Sequence, residues 1–261
     1  MLSIYQIDAF CSELFSGNPA AVCPLASWLP DTLMQSIATE NNLAETAFYV
    51  REKDHFHIRW FTPAVEVDLC GHATLAAAHV LFTHEGYIGD TVIFDSRSGL
   101  LKVTKDQDGL TLDFPADSLQ PVDITAAMRQ WFPTQPTEAY KGKTDYMLVF
   151  PTETDIAGLI PDLTAMKSAT EARGVIVTAK GDSVDFVSRF FAPQSGIDED
   201  PATGSAHTTL TPYWAEKLGK QQLVALQLSA RKGYLQCTAA GSRVKIGGKA
   251  KTYLFGQILL P

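Results

Sequence analysis

Two segments that begin with glycine have residue types suited to binding an anion. Gly71 opens GHATLAAAHVL and Gly204 opens GSAHTTL, and both runs have small side chains that let a ligand approach the backbone. The start of a helix presents N–H groups without intrahelical partners and carries a partial charge of about +0.5. We therefore expect the backbone near Gly71, Ala73 and Gly204, with Ser205, to bind a carboxylate. For either glycine alone, a role limited to easing entry into the helix stays open.

Three side chains near these segments have the chemistry to move a proton. Glu45 lies in NLAETAF among apolar neighbours, where burial would let a carboxyl both take and give a proton near neutral pH. His72 lies in the first helical turn, where we expect a lowered pKa and a neutral imidazole. Asp200 precedes Pro201, which directs it toward the second segment. The alternatives are a surface loop for Glu45 and helix-capping roles for His72 and Ser205.

Cys70 directly precedes the first glycine segment. A thiol at a helix start can have a depressed pKa and act as a base. A racemase with one thiol on each face of its substrate would need a second cysteine before Gly204, but residues 200–203 read DPAT. A symmetric two-thiol mechanism is therefore excluded. Cys70 is interpreted as a packing residue, and the acids Asp198 and Glu199 as ordinary loop residues.

The composition excludes several classes of protein. The 261 residues carry a formal net charge of −8 without a long block of like charges, which argues against nucleic-acid binding. No secretory signal is recognisable, and no apolar run is long enough to span a membrane. The four cysteines are widely spaced, and no P-loop, dinucleotide or zinc-protease motif occurs. We predict a cytoplasmic protein that uses neither a metal ion nor a cofactor.

A short motif occurs twice and divides the chain into two halves. The residues RWFTP at 59–63 are echoed by RFFAP at 189–193, and a glycine-led helix follows each of them. A strand-like segment precedes each motif. We infer two related half-domains, residues 1–115 and 116–249, with the active site in the cleft between them.

The remaining patterns predict an α+β protein. Short β-branched and aromatic segments alternate with turn residues, and helices are predicted at 31–40, 72–84, 123–131 and 204–218. The helix at 72–84 is apolar on nearly every face, which is typical of a buried helix. We therefore predict that each half is a barrel-like, mostly antiparallel sheet around a central helix. Pro212 is expected to kink the last helix.

Four segments, in this order, resemble the PhzF-like family of phenazine-biosynthesis proteins: SGNPAAVC, NLAETAF, WFTPAVEVDLCGHATLAAAHVL and FFAPQSGIDEDPATGSAHTTLTPYWAEKLGK. The resemblance covers essentially the whole chain. It implies the diaminopimelate-epimerase-like fold, two pseudo-symmetric halves with the active site between them, and a homodimer. It also implies that the final strand, within residues 250–261, returns to the first half.

The resemblance also implies roles for individual residues. Glu45 matches the acid/base glutamate of the N-L-A-E-T motif, and His72 matches the histidine of the G-H-A-T motif. Asp200 and Ser205 match the D-P-x-T-G-S motif, whose members surround the polar groups of the substrate. Asn18, in G-N-P, matches a position that lines the same cleft.

These observations lead to one main hypothesis and two alternatives. The main hypothesis is a cofactor-independent isomerase that moves a proton on a small cyclic or unsaturated carboxylic acid, as the resemblance implies for a dihydro-hydroxyanthranilate. The first alternative is a carboxylate-binding or scaffold protein without turnover. The second is an epimerase that uses Cys70. The expected partners are a small carboxylate and a second copy of the chain, without nucleic acid or membrane.

Overall fold

The computed structural model describes residues 1–260 and divides the chain into two compact units. One unit comprises Met1–Phe114 with Gly247–Pro261, and the other comprises Pro115–Ile246. Pro261, the last residue of the predicted returning segment, lies outside the described residues. Helices and strands are both present and most strand pairs are antiparallel, which confirms the predicted α+β class.

The described residues form six α-helices and 17 strands. The helices are α1 (Asp31–Asn41), α2 (Gly71–Thr83), α3 (Ala126–Trp131), α4 (Glu153–Gly158), α5 (Leu163–Ala169) and α6 (Gly204–Leu218). The strands are β1 (Leu2–Ala9), β2 (Asn18–Leu25), β3 (Glu45–Glu52), β4 (His55–Phe61), β5 (Glu66–Val67), β6 (Thr91–Asp95), β7 (Leu101–Lys105), β8 (Leu110–Pro115), β9 (Gln120–Pro121), β10 (Glu138–Lys141), β11 (Asp145–Val149), β12 (Gly174–Lys180), β13 (Phe186–Phe191), β14 (Gln222–Gln227), β15 (Gly233–Ala240), β16 (Arg243–Gly248) and β17 (Ala250–Ile258). Among residues 1–260, none of the helices has both the length and the apolar character needed to cross a membrane.

The strands of the first unit pair in the order β17–β1–β2–β3–β4–β6–β7–β8. The pairs β2–β3 and β4–β6 are parallel and the others are antiparallel, while the short β5 also pairs with β4. Strand β17 lies beside β1 from Leu2, opposite Ile258, to Ala9, opposite Ala250. Residues from opposite ends of the chain therefore complete one sheet.

The strands of the second unit pair in the order β9–β10–β11–β12–β13–β14–β15. From β10 to β15 the pair directions are antiparallel, parallel, antiparallel, parallel and antiparallel. The pairs from β1 to β7 in the first unit follow the same succession. The first three residues of each copy of the repeated motif thus end β4 and β13, at equivalent places in the two successions.

Helix α2 is buried on nearly every side, as its composition predicts. It packs against β1, β2, β3, β7 and β17. Burial of each of its large apolar side chains contributes about 1.5–3 kcal/mol. Its buried residues are His72, Ala73, Thr74, Leu75, Ala76, Ala77, Ala78, Val80 and Leu81. The surrounding strands therefore hold the first turn of α2 in a defined place.

The structure contains two short helices, α4 and α5, that the apolar pattern does not predict. Helix α4 begins with a capping box in which the Thr152 hydroxyl accepts from the Asp155 N–H and the Asp155 carboxylate accepts from the Thr152 N–H. Helix α5 begins where Asp162 accepts from the Ala165 N–H at 2.8 Å. Both helices have fewer than two full turns, which is too short for an apolar periodicity to show. Their N-terminal capping residues are the only clear signal of a helix in the sequence.

Helix α6 continues through Pro212 to Leu218. Proline has no N–H to donate to the carbonyl four residues earlier, which belongs to Thr208. The Asp117 N–H donates to that carbonyl instead, at 3.2 Å. Gly219 then ends the helix in the left-handed conformation, with φ of 65°.

Each copy of the repeated motif contains an arginine that holds a glutamate seven or ten residues further along the chain. Arg59 donates from Nε and Nη2 to the two carboxylate oxygens of Glu66 at 2.7 and 2.8 Å. Arg189 donates in the same way to Glu199 at 2.7 and 2.9 Å. Each guanidinium also lies over the phenylalanine two residues further along its strand, at 5.2 and 5.0 Å. The interpretation of Glu199 as an ordinary loop acid is therefore wrong, because it anchors the loop before α6.

Candidate functional site

Three elements of the first unit begin close together. Strand β2 begins at Asn18, β3 begins at Glu45 and α2 begins at Gly71. The two strands are parallel, with Ala20 opposite Glu45, so both start at the same edge of the sheet. The side chains of Asn18, Glu45 and Cys70 all contact His72, in the first turn of α2. We call these four residues the Glu45 cluster.

Asn18 is held in the cluster by a close approach of the backbone. The preceding residue, Gly17, has φ of +70°, and a Cβ at this position would lie 2.2 Å from the carbonyl oxygen of Ala9. Only glycine fits this position without a shift of the strands. The turn that it permits brings Asn18 opposite Ala9 in the β1–β2 pair, where the asparagine is fully buried.

His72 is the centre of the Glu45 cluster. Its Nε2 lies 3.0 Å from Oε2 of Glu45, and its Nδ1 lies 3.2 Å from Nδ2 of Asn18. The Cys70 sulphur lies 3.6 Å from Nδ1. The side chains of His72 and Glu45 are only 6% and 12% exposed. The imidazole thus joins a carboxylate to an amide in a largely dry environment.

The expectation of a neutral His72 is wrong. Burial alone would lower the pKa of His72, but the neighbouring Cys70 and Glu45 groups outweigh it and raise the pKa well above its usual range. A neutral thiol supplies little of this effect, so at neutral pH the Glu45 carboxylate is the partner that favours the imidazolium. The dipole of α2 opposes the charge, but a carboxylate at 3.0 Å acts more strongly on it.

Cys70 does not have the depressed pKa that its place before α2 suggested. Burial, followed by the charge of Glu45, raises the pKa of the Cys70 thiol to about 11. At neutral pH the thiol is therefore protonated. The nucleophilic and basic form of cysteine is the thiolate, so Cys70 is a poor base in this state. This agrees with the interpretation of Cys70 as a packing residue.

The cluster has the arrangement needed to pass a proton. Oε2 of Glu45 is buried and accepts no hydrogen bond of normal geometry, although Nε2 of His72 lies at ion-pair distance. A carboxylate in this state retains a lone pair for an incoming proton. An imidazolium also needs an acceptor at Nδ1, and turning over the Asn18 amide would place its oxygen there.

In the second unit, Asp200 belongs to a loop held by a buried glutamine. Gln227, at the end of β14, accepts from the Thr203 N–H at 2.8 Å and donates to the Asp200 carbonyl at 2.7 Å. The Thr203 hydroxyl donates to the Asp200 carboxylate. The Asp200 N–H donates to the Phe190 carbonyl at 3.0 Å. We call residues 200–203 the Asp200 loop.

A second side chain supports this loop from within α6. His207 is fully buried, and its Nδ1 lies 2.8 Å from the Thr203 carbonyl, so the ring donates from Nδ1. Burial lowers the pKa of His207 to about 4. This histidine is therefore neutral, as the sequence analysis expected of His72.

Ser205, in the first turn of α6, accepts a hydrogen bond from an arginine. Arg173 donates from Nη2 to the Ser205 hydroxyl at 3.0 Å, and from Nε to the buried Asp145 carboxylate at 2.9 Å. Asp145 begins β11 and Arg173 directly precedes β12, so this ion pair lies where two parallel strands start. The Arg173 side chain is 40% exposed and supplies a fixed positive charge beside Ser205.

The sequence patterns name Glu45, His72 and Asp200 as candidates but do not point to two residues that organise their surroundings. Gln227 and Arg173 lie outside every motif, and only the pairing of β11 with β12 and of β13 with β14 brings them near α6. The structure brings together the predicted residues that belong to the first unit: Asn18, Glu45, Gly71, His72 and Ala73. The others belong to the second unit: Asp200, Gly204 and Ser205.

The Glu45 cluster also contains atoms that could bind a metal ion. One ligand atom each from Glu45, Cys70 and His72 lies within 4.8 Å of the others. Thiolate, imidazole and carboxylate are all ligands of zinc in proteins. The group forms no metal motif in the sequence, because Glu45 lies 25 residues before Cys70.

The sequence is similar to that of a known protein family. The family described as "phenazine biosynthesis-like protein" matches residues 7–256. An uncharacterised isomerase of Pseudomonas aeruginosa is 52% identical over 260 residues, which are 99% of each chain. This relationship confirms the predicted enzyme class.

Solved structures agree with the sequence match. The crystal structure of a PhzF-family phenazine biosynthesis protein from Enterococcus faecalis superposes with a TM-score of 0.97, at 47% identity and 99% coverage of both chains. A probable proline racemase from Agrobacterium radiobacter superposes with a TM-score of 0.67 at 9% identity, covering 100% of this chain and 94% of the other, which shows a shared fold alone. The chain therefore belongs to the phenazine biosynthesis-like PhzF family, with the diaminopimelate-epimerase-like fold.

Proposed function

We propose that this isomerase moves a proton between two carbons of a small cyclic or unsaturated carboxylic acid, without a cofactor. The observation that carries the proposal is the buried Glu45 carboxylate, 3.0 Å from His72 and with an oxygen that accepts no hydrogen bond of normal geometry. Glu45 removes a proton alpha or vinylogous to the carboxylate of the substrate. It then returns the proton to another carbon on the same face.

His72 and Asn18 support this proton transfer. When Glu45 takes the proton it loses its negative charge, and the substrate gains one that spreads toward its carboxylate. The imidazolium of His72 offsets negative charge in either position, because it lies within the same buried cluster. Asn18 orients the ring through Nδ1. The N–H groups near Gly71 and Ala73, at the start of α2, are expected to bind the substrate carboxylate.

The second unit offers further polar groups for a carboxylate. Ser205 and Gly204 lie in the first turn of α6, and Asp200 is fixed by Thr203 and Gln227. Their action on the same substrate stays a prediction from the family motif.

Solvent exchange tests the proposal. We expect incubation with candidate cyclic and unsaturated acids in D₂O to incorporate deuterium at carbon. Glu45→Gln should lower the exchange rate about 10²–10⁴-fold, which is the usual contribution of a general acid–base group. Glu52→Gln is the matched control, because Glu52 lies on the same strand but is exposed. Exchange by Glu45→Gln at the parent rate would show that Glu45 is not the base.

The alternatives have their own discriminating results. Binding of acids in a thermal-shift screen, with no exchange of any ligand and no effect of Glu45→Gln, would favour a carboxylate-binding protein. An epimerase that uses Cys70 is disfavoured by the pKa of its thiol, raised to about 11 by burial. Full activity of Cys70→Ala would remove this alternative.

We extend the proposal to the assembly and the setting of the protein. The family resemblance supports a homodimer, which sedimentation would test, and two related barrel-like halves, for which the matching succession of strand directions is support. All four cysteines are buried and unbridged, which suits a reducing, cytoplasmic compartment.

A further inference from the structure

We propose that Glu45, Cys70 and His72 form a zinc-binding site, and that zinc bound there inhibits the isomerase. The inhibition rests on the proposed role of Glu45, whereas the binding of zinc does not. The three residues come from two separate parts of the chain, the start of β3 and the start of α2. Their convergence depends on the fold, so no zinc motif is visible in the sequence.

The distances between the ligand atoms suit a zinc ion. Nε2 of His72 lies 3.0 Å from Oε2 of Glu45 and 4.0 Å from the Cys70 sulphur, and all three ligand atoms lie within 4.8 Å of one another. Zinc bonds of about 2.0–2.3 Å place neighbouring tetrahedral ligands about 3.3–3.7 Å apart. Movements of about 1 Å by these side chains would therefore close the site around the ion.

The chemistry of the cluster also suits zinc. One sulphur, one nitrogen and one oxygen ligand leave a fourth tetrahedral position open for water or a substrate oxygen. Asn18 lies beside the other ring nitrogen of His72, at 3.2 Å from Nδ1, and would orient the ligating imidazole. Zinc would replace the thiol proton of Cys70 and the proton on Nε2 of His72, and both protons would leave to solvent.

The charges balance after this replacement. The carboxylate of Glu45 and the thiolate of Cys70 together carry two negative charges, and the ion carries two positive ones. A neutral set of groups is the arrangement that a buried site tolerates best. The lone pair of Glu45 would then be bound to zinc, so the carboxylate could not accept a proton from carbon.

Cobalt(II) provides a direct test of the binding, without any substrate. The protein, first freed of metal with a chelator, is titrated with cobalt(II) and its near-ultraviolet absorption is recorded. We expect one equivalent to bind and to give a cobalt–thiolate charge-transfer band. Cys70→Ser should abolish the band, while Cys237→Ser, which changes another buried cysteine, should retain it. Zinc should displace the cobalt and remove the band.

A second variant separates metal binding from a fault in folding. Glu45→Gln keeps the thiol, so we expect the band to persist but the affinity for cobalt to fall at least tenfold. Thermal unfolding of each variant checks that it is folded. Absence of the cobalt band from the parent would overturn the proposed site. Survival of the band in Cys70→Ser would also overturn it.

Inhibition is measured separately from binding. With an acid that the parent exchanges in D₂O, zinc at one equivalent should abolish exchange and a chelator should restore it. Undiminished exchange in protein that carries one equivalent of zinc would overturn the inhibition. Should no acid exchange at all, the proposed function fails, while the cobalt titration still decides whether the metal site exists.

Discussion

At the residue scale, the charge of a buried histidine in this protein depends on its contacts. His72 and His207 lie near the starts of two buried helices, α2 and α6. The carboxylate of Glu45 at 3.0 Å raises the pKa of His72 against the effect of burial. His207 has a backbone carbonyl as its partner, and burial lowers its pKa to about 4. The same residue type thus supplies an ion in one place and a neutral donor in the other.

The raised pKa of His72 predicts a pH-dependent contribution to stability. A histidine with a raised folded-state pKa stabilises the protein fully below its unfolded value of about 6.5, and the contribution is lost as the pH rises through the folded value. The unfolding free energy of the parent should therefore exceed that of His72→Gln by more at about pH 6 than at about pH 10. Urea unfolding at several pH values measures this difference.

The partners of His72 define the control. Glu45 faces it from β3, Cys70 from the residue before α2, and the uncharged Asn18 from β2. In a Glu45→Gln background, the effect of His72→Gln should lose most of its dependence on pH. A difference between parent and His72→Gln that grows as the pH rises would contradict the assignment of an imidazolium.

At the element scale, both sets of predicted residues are held at the starts of parallel strands and buried helices. In the first unit, β2, β3 and α2 supply the Glu45 cluster. In the second unit, Asp145 begins β11 and Arg173 precedes β12, while Gln227 ends β14 and holds the Asp200 loop. Gln227 uses both ends of its amide to hold the loop, and His207 supports it from within α6.

Replacement of Gln227 should therefore loosen the Asp200 loop. Gln227→Leu removes the hydrogen bonds that Gln227 makes to the Thr203 N–H and the Asp200 carbonyl, and each such loss is worth about 1–3 kcal/mol. We expect the unfolding free energy to fall by that order and hydrogen exchange to rise at residues 200–203. Gln222→Leu, on the exposed end of the same strand, should have little effect. Equal effects of the two variants would argue against this role of Gln227.

Part of the candidate site could be predicted from the sequence, and part could not. The two glycine-led helix starts, the apolar neighbours of Glu45 and the family motifs predicted Glu45, His72, Asp200 and Ser205 as candidates, because these signals lie within short segments. The contact between Glu45 and His72 joins β3 to α2, so the pKa shift of His72 was predicted in the wrong direction. Arg173 and Gln227 were missed for the same reason.

At the scale of the whole molecule, the first unit is discontinuous in the sequence. Its last strand, β17, pairs along the full length of β1, with Ile258 opposite Leu2. The second unit, Pro115–Ile246, is continuous. The stability of the first unit therefore depends on residues that are almost the whole chain away from its own first strand.

Two truncations test this dependence. A chain that stops after Ile258 retains β17, and we expect its unfolding temperature to stay within a few degrees of the parent. A chain that stops after Lys249 lacks β17, which leaves the backbone of β1 unpaired on one side. We expect it to aggregate or to unfold at a much lower temperature, as differential scanning calorimetry would show. Matching unfolding curves for the two chains would refute the dependence.

The pairing of β17 with β1 also has a consequence for the order of events during synthesis. Residues 1–114 leave the ribosome first, but β1 must wait for its neighbour until residues 250–258 have been translated. The continuous second unit can meanwhile complete its own sheet. Throughout that interval the nascent chain carries an open strand edge that another chain could occupy. The yield of folded protein should therefore depend on how quickly translation proceeds from Phe114 to Ile258.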